Sequence, residues 1–138
     1  MIQIIQPNDK ILWIDCLGGL AIGGLVIACC RMLGSLENLP VAVVFGMGLS
    51  NLCYGSFSLY VTTRKPRRVH WVKILAIANM LWLLVCLVIV VRFRQKISAW
   101  GLIAVVGEGL FVASLGYTEW RWRDHLSENR NLLNKDVV

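Results

Sequence analysis

The chain has 138 residues, a formal net charge of +6 and a hydrophobic fraction of 57%. Soluble domains hold roughly 45–50% apolar residues, and one of this size has too little interior to bury more. The composition, with a mean hydropathy of +0.66, therefore excludes an ordinary water-soluble fold and favours a membrane protein. The basic residues cluster between apolar segments, as orientation signals do, so nucleic acid is not expected as a partner.

Four apolar segments are long enough to cross a bilayer, which takes about 20 residues of helix. The first is too long for the core of a signal peptide, so we expect it to remain in the protein. None shows the alternating pattern of a membrane-barrel strand. The predicted spans cover approximately residues 11–33, 40–62, 71–91 and 97–117, with Pro40 well placed to begin the second helix.

The breaks between these spans are short and polar, at residues 34–38, 63–68 and 92–96. Short connections make consecutive helices antiparallel neighbours. The sequence therefore predicts an all-α membrane protein, an up-down-up-down bundle of four transmembrane helices. We expect residues 1–123 to form this domain and residues 124–138 to form a polar cytoplasmic tail.

The distribution of lysine and arginine predicts which ends of the bundle face the cytoplasm. Ten of the 14 basic residues fall on the side that holds both termini and the central loop, against four on the other side. Because cytoplasmic loops carry the excess of positive charge, both termini are predicted to be cytoplasmic, in a membrane of the bacterial inner-membrane type. The residues expected to contact anionic headgroups are Arg64, Lys65, Arg67, Arg68, Arg121 and Arg123.

The tryptophans mark the predicted boundaries. All but one fall at span ends, where an indole can keep its N–H in water and its ring in lipid. Trp82 alone lies near a span centre, so its N–H needs an acceptor inside the bundle. Residues 119–125, which close the fourth span, are interpreted as an interfacial anchor in preference to a partner-docking motif. The boundary tryptophans are Trp13, Trp71, Trp100, Trp120 and Trp122.

Each predicted span carries one strongly polar residue: Asp15, Asn51, Asn79 and Glu108, in that order. A charged group at mid-bilayer costs roughly 2.5–3.5 kcal/mol on insertion scales, so such a residue faces the interior and is a functional candidate. We favour a functional role for Glu108 and structural hydrogen bonding for the two asparagines. Asp15 is expected nearer the cytoplasmic mouth, where water reaches it, and a gating role and a plain solvated role carry equal weight.

Small and polar residues recur at helical spacing in every span. If these stripes point at one axis, Asn51, Asn79 and Glu108 meet at similar depth, with Tyr54 and Trp82 as nearby donors. The alternative is that the stripes serve only close helix packing, for which Gly19 and Gly23 form a GxxxG match. The stripes are Asp15, Gly18, Gly19 and Ile22; Gly48, Asn51, Gly55, Ser58 and Thr62; Val72, Leu75, Asn79, Trp82 and Cys86; and Gly101, Ala104, Glu108 and Leu115.

Other reactive residues give weaker signals. The five cysteines contain no CxxC pair, and cysteine in a membrane helix is more often a small apolar filler, although a bridge from Cys29 or Cys30 to Cys86 stays open. His70 and His125 fall outside the apolar spans. We therefore expect no haem, no metal and no other cofactor.

Three functional hypotheses remain. The favoured one is a polar cavity around Glu108, Asn51 and Asn79, with Asp15, Tyr54 and Trp82 nearby, that binds and in one version moves a small amphipathic ligand or a cation. The second is a non-catalytic accessory subunit within a homo-oligomer or larger complex. The third is a small enzyme acting on lipid, with Glu108 or Asp15 as acid or base, but the sequence offers neither a nucleophile–base pair nor a metal cluster, so no catalytic residue is assigned.

Overall fold

The computed structural model describes residues 9–64 and 68–126, and within these ranges the chain is all-helical, without a strand. The predicted all-α fold is confirmed. The first two helices share the first predicted span, and each of the remaining three corresponds to one of the other spans. The helices are α1 (Asp9–Ala28), α2 (Cys30–Glu37), α3 (Val41–Thr63), α4 (Val69–Phe93) and α5 (Ala99–Leu126).

Four of these helices, α1, α3, α4 and α5, are long and apolar enough to cross a membrane. This arrangement is compatible with a small integral membrane protein. The second and third predicted spans agree with α3 and α4 to within two residues at each end. Helix α3 begins directly after Pro40, whose fixed φ of −57° suits the entry to a helix.

The first predicted span is wrong at its end, because α1 stops at Ala28 and a separate helix follows. Cys29 leaves the helical region at φ −105° and ψ 13°. Its N–H still donates to the Leu25 carbonyl at 2.9 Å, and its carbonyl accepts from Leu33 at 2.9 Å. The chain therefore bends at Cys29 without losing its backbone hydrogen bonds, and the helix continues into the segment predicted as a polar break.

Helix α2 ends at Asn38, which adopts the left-handed conformation with φ 58°. Asparagine tolerates that conformation better than most residues. The next N–H, from Leu39, donates to the Gly34 carbonyl at 3.0 Å, and the Leu39 side chain is buried. This compact ending turns the chain directly into Pro40 and α3.

The fourth predicted span is also too short, since α5 extends from Ala99 to Leu126 and its apolar part reaches Asp124. No glycine or proline follows Tyr117 that would end the helix. Residues 119–125 therefore continue the helix. The predicted tail begins inside α5, and residues 127–138 lie outside the described residues.

The four long helices form two antiparallel pairs, here called the first hairpin (α1 and α3) and the second hairpin (α4 and α5). In the first, a Cβ on Gly23 would meet the Leu52 amide nitrogen at 2.6 Å, and one on Gly19 would meet the Gly55 Cα at 3.1 Å. In the second, a Cβ on Gly116 would meet the Ala76 carbonyl at 2.7 Å. Backbone lies against backbone within each hairpin, whereas contacts between the hairpins are sparse.

Two apolar clusters lie on either side of a polar middle layer. One joins helices α1, α3, α4 and α5, and the other joins α3, α4 and α5 with the turn after α2. Ser98 connects α2 and α5 at the end of the bundle that holds the second cluster. Its hydroxyl donates to the Leu36 carbonyl at 2.7 Å and accepts from the Gly101 N–H at 3.0 Å. The clusters are Leu12, Val61, Val72, Leu75 and Leu126, and Leu39, Val44, Met47, Cys86 and Val105.

Candidate intramembrane site

A cavity of about 410 Å³ separates the two hairpins, and all four long helices line it. All six residues predicted from the sequence as ligand-binding candidates border this cavity. Most of the remaining wall is glycine or apolar side chain. The polar and aromatic lining residues from the prediction are Asp15, Asn51, Tyr54, Asn79, Trp82 and Glu108.

Glu108 forms the first of two carboxyl centres. Its Oε1 accepts a hydrogen bond from Asn51 Nδ2 at 2.7 Å and another from Trp82 Nε1 at 3.0 Å. The predicted acceptor for the Trp82 indole inside the bundle is thereby confirmed. Asn51 comes from the first hairpin and Trp82 from the second, so Glu108 links the two hairpins through one oxygen.

Asp15 forms the second centre, and it is better satisfied than Glu108. Its Oδ2 accepts from the Tyr54 hydroxyl at 2.7 Å and from Ser58 Oγ at 2.7 Å, and its Oδ1 accepts from Asn79 Nδ2 at 3.1 Å. The residue is only 4% exposed. The solvated interpretation of Asp15 is therefore wrong, because three side chains take the place of water around its carboxyl group.

Glu119 belongs to the same centre and was missed by sequence reasoning. Asn79 Nδ2 donates to Glu119 Oε2 at 3.1 Å, and the Glu119 side chain is fully buried. Its Oε1 has no hydrogen-bond partner among the residues that the structure describes. The interpretation of Glu119 as part of an interfacial anchor is wrong. Its spacing of 11 residues from Glu108, about three helical turns, could have placed it on the interior side.

The predicted meeting of Asn51, Asn79 and Glu108 at one point is only partly right. Asn51 does reach Glu108, but Asn79 lies against Asp15 and Glu119, and Tyr54 also turns to Asp15. The polar residues therefore form two groups along the cavity. Each group contains a carboxyl from one hairpin and an amide from the other.

The predicted stripes of α3 and α4 fit the buried faces of these helices, while that of α5 needs correction. Ala104 is exposed, and the face of α5 that packs on α4 carries other residues. The difference arises because glycines on α5 make the close backbone contact, which leaves Glu108 on the neighbouring cavity side. The buried positions of α5 are Gly101, which belongs to the predicted stripe, and Val105, Gly109, Gly116, Glu119 and Leu126, which do not.

The described residues that line the cavity include two carboxyl groups and no lysine or arginine. In the described part of the chain, each hydrogen bond to Asp15, Glu108 and Glu119 comes from a neutral hydroxyl, amide or indole. Carboxyl groups in an apolar interior are costly unless a proton or another positive charge compensates them. The arrangement can therefore hold a cation or a proton.

Residues 9–64 and 68–126 contain neither a candidate metal site nor a disulfide bond. No set of three histidine, cysteine or acidic side chains there could hold a metal ion. The five cysteines are free thiols, so the bridge from Cys29 or Cys30 to Cys86 is absent from the described structure. His70 is exposed, and the side chain of His125 lies outside the described part of the structure.

Three apolar residues that line the cavity are themselves well exposed. They are Ile14 at 55% and Ile22 at 40% on α1, and Phe111 at 51% on α5. The cavity is therefore not closed off from its surroundings along α1 and α5.

Comparisons with protein-family models, with curated proteins and with solved structures find no match to this chain. What the site can do is therefore inferred from its own side chains.

Proposed function

We propose that this protein is an integral membrane protein that binds a small amphipathic cation in the cavity between its hairpins. The observation that carries the proposal is the position of Glu108. Its carboxyl borders an apolar cavity at the middle of a membrane-spanning helix, and both donors to it are neutral and bind the same oxygen, Oε1. The second oxygen is therefore available to a positively charged group.

The aromatic residues of the cavity support a cation that also carries apolar groups. Tyr54, Trp82 and Phe111 line the same space as Glu108. Aromatic faces attract organic cations, with about 2 kcal/mol or more per contact where water is excluded. A ligand with an ammonium or phosphonium centre and apolar substituents would satisfy the carboxyl group and the apolar wall together.

The exposed apolar residues of the cavity wall support entry from the bilayer, which suits an amphipathic molecule. Ile14, Ile22 and Phe111 line the cavity and are each at least 40% exposed. Binding is the function we propose; movement across the membrane would require the cavity to open in turn toward each aqueous side.

We further propose an up-down-up-down topology with both termini in the cytoplasm of a bacterial inner membrane. Arg64, Arg68, Arg121 and Arg123 would then meet anionic headgroups, together with Lys65 and Arg67, which lie outside the described residues. The Arg64 guanidinium covers the Tyr60 ring at 4.8 Å, and that of Arg123 covers the Trp120 ring at 4.9 Å. Paired Arg and aromatic side chains of this kind suit the membrane interface.

The test is binding of tetraphenylphosphonium to the purified protein in a neutral detergent, measured by equilibrium dialysis beside the uncharged comparator triphenylphosphine oxide. Glu108→Gln keeps the acceptor for Asn51 and Trp82 but removes the charge. It should lower the affinity for the cation by about tenfold or more, or about 1.4 kcal/mol. The uncharged comparator should bind no more weakly to the variant than to the original protein.

A second pair of variants tests the cavity itself. A Cβ on Gly107 meets nothing within 4 Å, so Gly107→Leu should fill the cavity without a backbone clash and reduce binding. Gly24 has the same open space but does not line the cavity, so Gly24→Leu is the matched control and should bind normally.

Equal cation affinity in the Glu108→Gln variant and the original protein would overturn the proposal. So would equal loss in both leucine variants. If the original protein does not bind the cation, and gentle extraction recovers it only within a stable larger complex, the accessory-subunit alternative would be favoured.

A further inference from the structure

Glu119 is the one carboxyl of the polar layer that does not border the cavity. It is fully buried behind Asn79, and one of its oxygens has no partner in the described part of the protein. The other oxygen shares Asn79 Nδ2 with Asp15, at 3.1 Å in each case. Two carboxyl groups thus lie against the two hydrogens of a single neutral amide.

Two negative charges this close cannot both persist in an apolar interior. The titratable groups that face the pair are Tyr54 from α3 and Cys16 beside Asp15 on α1. Helix α4 contributes only the neutral amide of Asn79. None of these groups supplies a positive charge, so a bound proton is the simplest compensation for the second carboxylate.

We propose that Asp15 and Glu119 form a proton-binding site that holds one proton, carried by Glu119. The asymmetry of the hydrogen bonds decides which carboxyl keeps it. Asp15 accepts from Tyr54, Ser58 and Asn79, and three donors stabilise its negative form. Glu119 accepts from Asn79 alone. This inference concerns the protein without a ligand and does not depend on the proposed cation binding.

The pair lies next to the cavity. Asn79 and Asp15 both line the cavity, and Asn79 also contacts Glu119. Because the pair does not persist with both carboxyls ionised, a proton that leaves it has to be replaced by another proton or by a cation in the cavity beside Asp15. The site is thus a candidate for pH sensing or for proton uptake linked to the cavity.

The test is infrared spectroscopy of the ligand-free protein at neutral pH, in water and in deuterium oxide. A protonated carboxyl gives a C=O stretching band that shifts on deuteration. The starting protein should be Glu108→Gln, which removes the other carboxyl of the cavity. We expect the band in this variant and its loss in the double variant with Glu119→Gln, while Asp15 stays ionised.

Absence of the band from the Glu108→Gln variant would overturn the proposal, because both carboxyls would then be ionised. Persistence of the same band after Glu119→Gln would overturn it as well, since the proton would lie elsewhere. If the double variant does not fold, Asp15→Asn in the Glu108→Gln protein supplies the test. The Glu119 band should then remain but shift in frequency, and an unshifted band would contradict the pairing.

Discussion

Asn79 donates a hydrogen bond to Asp15 across the gap between the two hairpins, with 3.1 Å between nitrogen and oxygen. The same nitrogen reaches Glu119 within its own hairpin. Asn79→Ala should therefore lower the free energy of unfolding by about 1–3 kcal/mol, because it leaves two buried acceptors without a donor. The measurement is unfolding in detergent, followed by far-ultraviolet circular dichroism.

Asn51→Ala is the control for this effect. Glu108, its partner, keeps the hydrogen bond from Trp82 and lies beside the cavity, where water can replace the lost amide. We expect a smaller loss of stability than for Asn79→Ala. Equal losses in the two variants would mean that the Asn79 amide, shared by two carboxyls, contributes no more to stability than the Asn51 amide.

A side chain at Gly23 should destabilise the protein, in contrast to one at its neighbour Gly24. A Cβ on Gly23 would lie 2.6 Å from the Leu52 nitrogen and 2.9 Å from the Gly48 oxygen, both backbone atoms that cannot turn away. Gly23→Ala should cost about 1–3 kcal/mol of stability, as overpacking commonly does. Gly24→Ala has open space and should be neutral or stabilise the helix by up to about 1 kcal/mol. Similar thermal midpoints for the two variants would contradict the close packing of α1 on α3.

Ser98 should stabilise the protein through two contacts at once. Its oxygen caps α5 by accepting the Gly101 N–H, and its hydroxyl hydrogen goes to Leu36 at the end of α2. Ser98→Ala should lower the free energy of unfolding by about 0.5–2 kcal/mol. Ser56→Ala is the matched control, because that exposed hydroxyl donates only to the Leu52 carbonyl of its own helix and should change stability by less than about 0.5 kcal/mol. A loss for Ser56 as large as that for Ser98 would count against the capping role.

Glu37, on α2 outside the membrane-spanning helices, should make stability depend on pH. Burial raises the pKa of its carboxyl above the ordinary 4.5, and the negative charge of Glu108 adds to this. The folded state then holds the proton more tightly than the unfolded state, so stability falls as the pH rises from about 4.5 towards neutral. The effect should be small, because the side chain is only half-buried.

Glu37→Gln should remove this part of the pH dependence. The variant should match the original protein at acidic pH and become the more stable of the two as the pH rises, in thermal midpoints measured from pH 4 to pH 7. A difference that shrinks with rising pH would contradict the sign of the shift.

The sequence predicts the four long helices well because lipid solvation leaves a strong signal, a run of apolar residues between charged breaks. It predicts their ends less well. Nothing in the residues around Cys29 distinguishes a bend from a continuous helix, and Asn38 ends α2 through a backbone conformation that the apolar pattern does not encode. The extension of α5 to Leu126 was missed because arginine and tryptophan near residue 120 resemble a membrane boundary.

For the candidate site, too, the sequence predicts the residues better than their arrangement. Single polar residues in apolar surroundings were easy to identify, and all six border the cavity. Their pairing was not predictable, because it depends on small rotations of each helix. The glycines of α5 set the rotation that brings Glu108 to Asn51 and Trp82 and leaves Asn79 to bind Asp15 and Glu119.

The tight glycine contacts within each hairpin have a consequence for biosynthesis. Asp15 finds two of its three donors, Tyr54 and Ser58, on the helix with which α1 packs most closely. The first hairpin can therefore enter the bilayer with its carboxyl already hydrogen-bonded, before the ribosome has made α4 and α5. Asn79, on α4, completes this set of donors only when the two hairpins come together.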